Sequence, residues 1–260
     1  MKVPSLRKTC VAVLVMAGLA GCATPPPADD PEAVAEFEQN NDPMEPMNRV
    51  VFEGNDRVYR YALHPIGSGY REAVPPFGRQ IISNMLANLK SPTIFVNDVL
   101  QGNFSRAGAV LVRLVLNSTF GVGGMQDVAS PMGIPLHNSD FGQTMAVWGV
   151  GEGPYLVLPI IGPSNPRDAV GLLADSYADP LDDYLRSIDK TWISEIRFGI
   201  SSVALVEANM DNIDDIRRSS LDYYSAMRSL MRQRRQAAIN DAVNPSIGWA
   251  HLMPQMKISH

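Results

Sequence analysis

Ala107-Gly108-Ala109-Val110-Leu111-Val112-Arg113-Leu114-Val115-Leu116 presents apolar side chains on every face of a helix except at Arg113. A helix of this kind is stable only where protein or lipid covers it. Ser105 opens it, and the residues before it end on a stop signal, with Ile94, Phe95, Val96, Val99 and Leu100 running up to Gly102. Further helix starts are predicted at Ser91-Pro92, at Pro75-Pro76 ahead of Phe77 to Leu89, and at Asp42-Pro43-Met44-Glu45. The last of these combines an N-cap acid, a proline at the first helical position and a glutamate at N3. Met44, Met47, Val51, Val58 and Ala62, interrupted at Asn55, then predict one apolar stripe.

Beyond residue 120 the texture changes. Gly121-Val122-Gly123-Gly124 and Gly149-Val150-Gly151-Glu152-Gly153 predict loops, with a short hairpin at most. Asn165-Pro166-Arg167-Asp168 reads as another capped start. Ile193, Ile196, Ile200, Val203, Val206, Met210 and Ile213 give a long amphipathic helix. Leu221 to Arg235 is a basic amphipathic segment, in which Arg217, Arg218, Arg228, Arg232, Arg234 and Arg235 face only Asp222 as an opposing charge. The expected fold class is all-α with a glycine-rich loop segment. Its folded domain is expected at 42–235, and a flexible tail at 236–260.

The chain has 260 residues, 45% of them hydrophobic and 19% charged, enough apolar material for a core. Its formal charge of -5 argues against a nucleic-acid partner. The two cysteines, Cys10 and Cys22, are too few for a disulfide scaffold or a cysteine zinc site. Both fall in a segment with the layout of a secretory signal. Lys2, Arg7 and Lys8 precede an apolar run from Cys10 to Leu19, and small residues follow.

Leu19-Ala20-Gly21-Cys22 is similar to the bacterial lipoprotein processing box, which implies acylation of Cys22 and removal of residues 1–21. That cut removes three basic and no acidic side chains, moving the formal charge from -5 to -8. Each buried CH₂ of an acyl chain contributes roughly 0.8 kcal/mol, so several chains anchor firmly. Ala23 stands where sorted lipoproteins carry an inner-membrane retention aspartate, which favours the outer membrane. Residues 22–41, with Pro25-Pro26-Pro27 and acids Asp29, Asp30, Glu32 and Glu36, read as a tether.

Catalytic signatures are missing from the sequence. His64, His137, His251 and His260 show no i, i+4 pair and no HExxH, and there is no GxSxG elbow. The glycine clusters lack dinucleotide and Walker spacings. Asp127, Asp140, Asp168 and Asp175 are better explained as caps and loop anchors than as acids or bases. A binding or transport protein without a cofactor or metal is expected.

Several separated motifs then occur together: Asn41-Asp42-Pro43-Met44-Glu45-Pro46-Met47-Asn48-Arg49, Leu100-Gln101-Gly102, Asn117-Ser118-Thr119-Phe120-Gly121-Val122-Gly123-Gly124, Asp140-Phe141-Gly142-Gln143-Thr144, and Gly153-Pro154-Tyr155 through Arg167-Asp168. In this order they resemble the MlaA (VacJ) family. The resemblance implies a ring-shaped, all-helical lipoprotein in the inner leaflet of a Gram-negative outer membrane, anchored through Cys22. It further implies an amphipathic central channel through which stray outer-leaflet phospholipids pass to a soluble periplasmic carrier of the Mla system, and association with a trimeric porin.

On that footing Arg113 is the leading head-group candidate, since a guanidinium forks onto phosphate; a buried structural ion pair is its alternative. Asn48 and Arg49 are placed near the channel or leaflet boundary by the same resemblance. Gly121, Gly123, Gly124, Gly149 and Gly151 match the stretch that lines and gates the channel, with plain loop geometry as their alternative. Arg228, Arg232, Arg234 and Arg235 are candidate carrier contacts, or else a solvated helix face. Two rivals remain: a structural porin-associated lipoprotein that moves no lipid, and a lipid-cleaving enzyme.

Overall fold

The computed structural model describes residues 42–245, so the expected signal peptide, Cys22 and the whole tether lie outside the described residues. In chain order the elements are α1 (Glu45–Val58), a π-helical turn (Tyr59–Leu63), α2 (His64–Ala73), α3 (Pro76–Leu100), α4 (Phe104–Thr119), a 3₁₀ turn (Ser130–Met132), α5 (Phe141–Val147), β1 (Leu156–Leu158), β2 (Gly162–Ser164), α6 (Pro166–Tyr177), α7 (Pro180–Ser187), α8 (Thr191–Ser219) and α9 (Tyr223–Val243). The all-α expectation holds. β1 and β2 form a two-stranded antiparallel hairpin, with Leu156 opposite Ser164 and Leu158 opposite Gly162.

One proline shapes the chain locally and another is accommodated. Pro65 sits in the first turn of α2, where its ring crowds the carbonyl four residues back, and the chain widens into a π turn just before it. There His64 N–H donates to Tyr59 O, five residues back. Pro92 was expected to open a new helix, yet α3 runs through it unbroken. Clamps on either side hold the helix together. Asn88 Nδ2 donates to Ser118 Oγ on α4 at 2.9 Å, and Asn97 Nδ2 donates to Asp175 Oδ1 on α6 at 2.9 Å.

Polarity is inverted relative to a water-soluble helical protein. Among the described residues, buried polar side chains outnumber buried apolar ones. On α1 the buried residue is Asn48, at 0% exposure, whereas Val50 is 70% exposed. The expected stripe is therefore not the inner face: Met47, Val58 and Ala62 are exposed, and Met44 and Val51 are half-buried. On α4, Arg106, Ala107, Val110, Arg113 and Asn117 face protein, and Leu111 and Val115 are left bare. Apolar packing is confined to small clusters, one of Ala109, Ala129 and Ile134 and another of Tyr155, Val157 and Tyr224. A continuous exposed apolar surface marks a protein or membrane contact. No helix among the described residues is long and apolar enough to cross a membrane.

Four further boundaries differ from the sequence expectation. α1 begins at Glu45 with Met44 at the cap and no side-chain cap bond, because the Asp42 carboxylate is committed elsewhere. It accepts from Asn48 Nδ2 at 2.7 Å, from Arg228 at 2.9 Å and from the Tyr224 hydroxyl. α4 starts at Phe104, one residue before Ser105, and the amide of Asn103 at its cap donates to Ala242 O instead. A short helix in the supposed loop region, α5, is capped by Asp140, and a further one that the sequence reading did not mark, α7, is capped by Asp179. The tail expected from 236 is helical through Val243. Ala242 is buried there, and Arg106 donates both to Asp241 O at 2.7 Å and to its carboxylate at 2.9 Å.

Asn48 also donates to Tyr155 O at 3.0 Å and accepts from Val157 N–H at 2.9 Å, so one amide joins α1, the hairpin and Asp42. Asn48→Ala takes this partner from Tyr155 O, the Val157 N–H and Asp42 Oδ1, leaving Asp42 only its Tyr224 and Arg228 bonds, and should destabilise the protein by about 3 kcal/mol. Denaturant titration of the detergent-solubilised protein checks this; a change smaller than about 1 kcal/mol would contradict the latch.

Candidate functional site

Several of the residues singled out from sequence clasp one element to another. Arg49 bonds Glu45 at 2.7 Å and Asp222 at 2.6 Å, and its guanidinium lies 4.4 Å above the Tyr224 ring, which joins α1 to the start of α9. Arg113 adopts the ion-pair alternative. It is buried, bonded to Asp127 at 3.0 Å, to Ser130 Oγ at 3.0 Å and to Ile134 O, and it pins the segment after α4. At Gly121 an added Cβ would lie 2.3 Å from Gln126 O, and at Gly124 (φ 88°) it would lie 2.7 Å from the Asn88 amide. These two glycines are required by close packing. Gly123, Gly149 and Gly151 have open space around their Cα atoms.

The basic stretch was expected to face Asp222 alone, but its partners come from distant parts of the chain. Arg228 pairs with Asp42 at 2.9 Å, Arg232 with Glu152 at 2.5 Å, and Arg235 with Asp140 at 2.7 Å and Asp168 at 2.8 Å. Arg217 pairs with Asp56, and Arg218 with Asp215 at 2.6 Å. Arg234 is exposed and makes no ion pair among the described residues. Burial opposes charge on Asp140, but the hydrogen bonds and field of Arg235 prevail and lower its pKa. Burial instead dominates at Asp175, whose pKa is raised.

Three cavities adjoin between these helices. The first, about 940 Å³, lies among α3, α7 and α8; the second, about 520 Å³, lies between the hairpin, α6 and α9; the third, about 370 Å³, lies between α1, α8 and α9. The first two share Lys90, Thr93 and Asp175 as wall, and the second and third share Pro163, Met231 and Arg234. Leu205 borders both the first and the third. The walls mix apolar side chains such as Leu86 and Phe198 with charge pairs, Arg79 with Glu207 and Arg197 with Asp179 at 2.7 Å. Such a wall accommodates an amphiphile, with tails on the apolar patches and a polar head among the charges.

One grouping outside these cavities has the composition of a hydrolytic site. Ser68 Oγ is 3.5 Å from His64 Nδ1, and His64 Nε2 is 3.1 Å from Asp214. Ser68 lies inside α2, where backbone N–H groups are spent on helical bonds, so none is offered to a developing oxyanion. The other described histidine, His137, is buried against Asp98 at 2.8 Å. Among the described residues no cluster of metal-ligating side chains occurs.

The MlaA lipoprotein family model matches residues 40–238. The chain belongs to the MlaA lipoprotein family. Named relatives agree: the intermembrane phospholipid transport system lipoprotein MlaA of Haemophilus influenzae is 30% identical over 239 residues, covering 90% of this chain and 91% of that protein. The protein of the same name from Escherichia coli is 30% identical, over 85% of this chain and 84% of its own. An uncharacterized protein of Rickettsia bellii is 33% identical over 76% of each chain. A solved chain, described as the structural basis for maintenance of bacterial outer membrane lipid asymmetry, superposes with a TM-score of 0.66 at 32% identity, covering 76% of this chain and 99% of that one.

Within this MlaA-family domain the cavity walls carry residues that sequence reading passed over. Pro76, Gln80, Ser83, Ala87 and Lys90 recur at three- and four-residue steps along α3, and Ser194, Arg197, Ser201, Ala204 and Ala208 do so along α8. These polar and small stripes are the usable signal. In a water-soluble protein such stripes would face outward.

Burial works against the Asp127 charge, but bonds from the Ser130 hydroxyl, Arg113 and the Ser130 N–H outweigh it and lower its pKa to about 2. A depressed folded pKa means stabilisation that is complete above the ordinary value near 3.8 and lost as pH falls towards 2. Hydrogen exchange in the segment 120–134 should therefore rise across that window. In Arg113→Gln the rise should begin at higher pH, and identical profiles would contradict the pairing.

Proposed function

We propose that this chain takes phospholipids that have strayed into the outer leaflet of the outer membrane and passes them through the joined cavities to a soluble periplasmic carrier, so maintaining lipid asymmetry. The observation that carries this reading is the inverted polarity: apolar side chains such as Val50, Val115 and Phe198 are bare, and charge-lined cavities adjoin inside. Lipid satisfies the first feature, and a lipid head group satisfies the second. The relatives' role in intermembrane phospholipid transport supports the same conclusion.

In this proposal acylated Cys22 holds the domain in the inner leaflet of the outer membrane, facing the periplasm, and a trimeric porin covers part of the bare apolar surface. Arg228, Arg232 and Arg235 hold the fold together, so the carrier docks elsewhere than on their guanidiniums. Gating falls to the loop at Gly149 and Gly151, where the space beside the Cα atoms is open. The activity is transfer of intact lipid; no covalent bond is made or broken.

The test reconstitutes the acylated full chain in a bilayer and scores lipid delivered to a purified carrier. Intact phospholipid on the carrier is expected. Release of lysophospholipid or fatty acid would replace this reading with an enzymatic one. Porin binding without transfer would replace it with a structural role. Ala204→Trp, which projects a large ring into the first cavity, should abolish transfer while leaving thermal stability within a few degrees of the parent. Undiminished transfer by that variant would remove the first cavity from the path.

A further inference from the structure

The six cations that line the cavity walls are not equal when their charges are matched one by one. Arg79 is paired with Glu207, Arg197 with Asp179 and Asp182, Arg232 with Glu152, and Arg235 with Asp140 and Asp168. Lys90 and Arg234 differ. Lys90 Nζ donates to the neutral Asn138 Oδ1 at 2.8 Å, and neither side chain has a carboxylate within ion-pair distance among the described residues. The nearest acids to Lys90 are already engaged: Asp140 by Arg235, and Asp175 by Asn97 and the Phe141 N–H.

Their placement is as selective as their lack of partners. Lys90 stands where the first and second cavities share a wall, and Arg234 stands where the second and third do. Both therefore border the second cavity, beside the apolar Leu172, Met231 and Ala238. An unmatched cation beside an apolar wall is complementary to an anionic group carried on an acyl chain. A phosphodiester offers non-ester oxygens to an ammonium as a point charge and to a guanidinium as a fork.

We propose that Lys90 and Arg234 are two successive phosphate-binding stations for a phospholipid, one at each junction of the cavities. This rests on the transport reading above and names the groups that take the head group along it. It moves Arg234 from carrier docking to the lipid path. Two weak stations suit passage better than one deep site, because a lipid must leave each station as readily as it enters.

The experiment uses the acylated full chain in proteoliposomes containing a photoactivatable phospholipid and, in parallel, a photoactivatable diacylglycerol that has the same tails and no phosphate. Lys90→Gln and Arg234→Gln should each lower phospholipid crosslinking and transfer by about tenfold. Diacylglycerol crosslinking and the thermal melting curve should stay unchanged. Lys90→Arg should restore phospholipid crosslinking. Excess inorganic phosphate should leave crosslinking intact, since the tails contribute to binding; its abolition would reassign the stations to a soluble phosphate. Wild-type crosslinking by both Gln variants, or equal loss of both lipids, overturns the proposal. Because crosslinking is read without any carrier, a parent protein that transfers nothing would defeat the transport reading and leave the stations decided by this measurement.

Discussion

The Asp42 carboxylate, with 1% of its side chain exposed, accepts from Asn48 on α1 and from Tyr224 and Arg228 on α9. It joins the first described helix to the last, and the cavities lie between the elements so closed. Taking a carboxylate out of water costs several kcal/mol, which is recovered only when every oxygen finds a charged or strong donor. Here both oxygens do. Losing one partner of such a pair costs about 3–5 kcal/mol, far more than any surface contact in the chain. α9 extends the same closure along its length, through Arg232 to Glu152, Arg235 to α5 and α6, and Asp241 to Arg106 on α4.

Such a network is needed because the ordinary source of stability has been turned outward. A helical domain in water gains most from an apolar core, yet here the apolar clusters are small and large apolar side chains face away from protein. In the proposed lipid setting that surface is covered without competition for hydrogen bonds, and polar groups enclosed between helices become the specific contacts. Arginine serves better than lysine in this setting, since its planar fork spans two carboxylates at once, as Arg235 does. The cost is that each enclosed cation must be matched, and among the cations of the cavity walls Lys90 and Arg234 are not.

Much of the fold was legible where local chemistry decides it. Asn165 followed by Pro166 gave a helix start, and the Asn165 side chain accepts from the Asp168 N–H. Gly102, at φ 76°, ended α3 as its position suggested. Asp42 was misplaced because capping and burial draw on the same residue type, and only the tertiary fold shows Tyr224 beside it. The arginine partners were hidden by distance along the chain: Arg228 and Asp42 are 186 residues apart, and Arg235 and Asp168 are 67 apart. The cavity walls escaped for a different reason. Helical periodicity identifies an amphipathic helix but not which side faces inward, and the choice reverses when the surroundings are lipid.

The closures around the cavities are unequal, and that inequality shows where the wall can yield. Asp42 is enclosed, whereas the Arg232–Glu152 pair retains 17% and 33% side-chain exposure, so water can replace much of what its opening would forfeit. An exposed ion pair contributes about 0–1 kcal/mol. Glu152 sits between Gly151 and Gly153 and borders the second cavity, and a Cβ added at Gly149 or Gly151 would meet no atom within 4 Å. The loop 149–153 is therefore a wall segment held by a partly exposed charge pair, with open space beside Gly149 and Gly151. Helices α1 and α9 on either side of the hairpin stay fixed by the buried carboxylate, so an opening there changes access to the second cavity without loosening the frame.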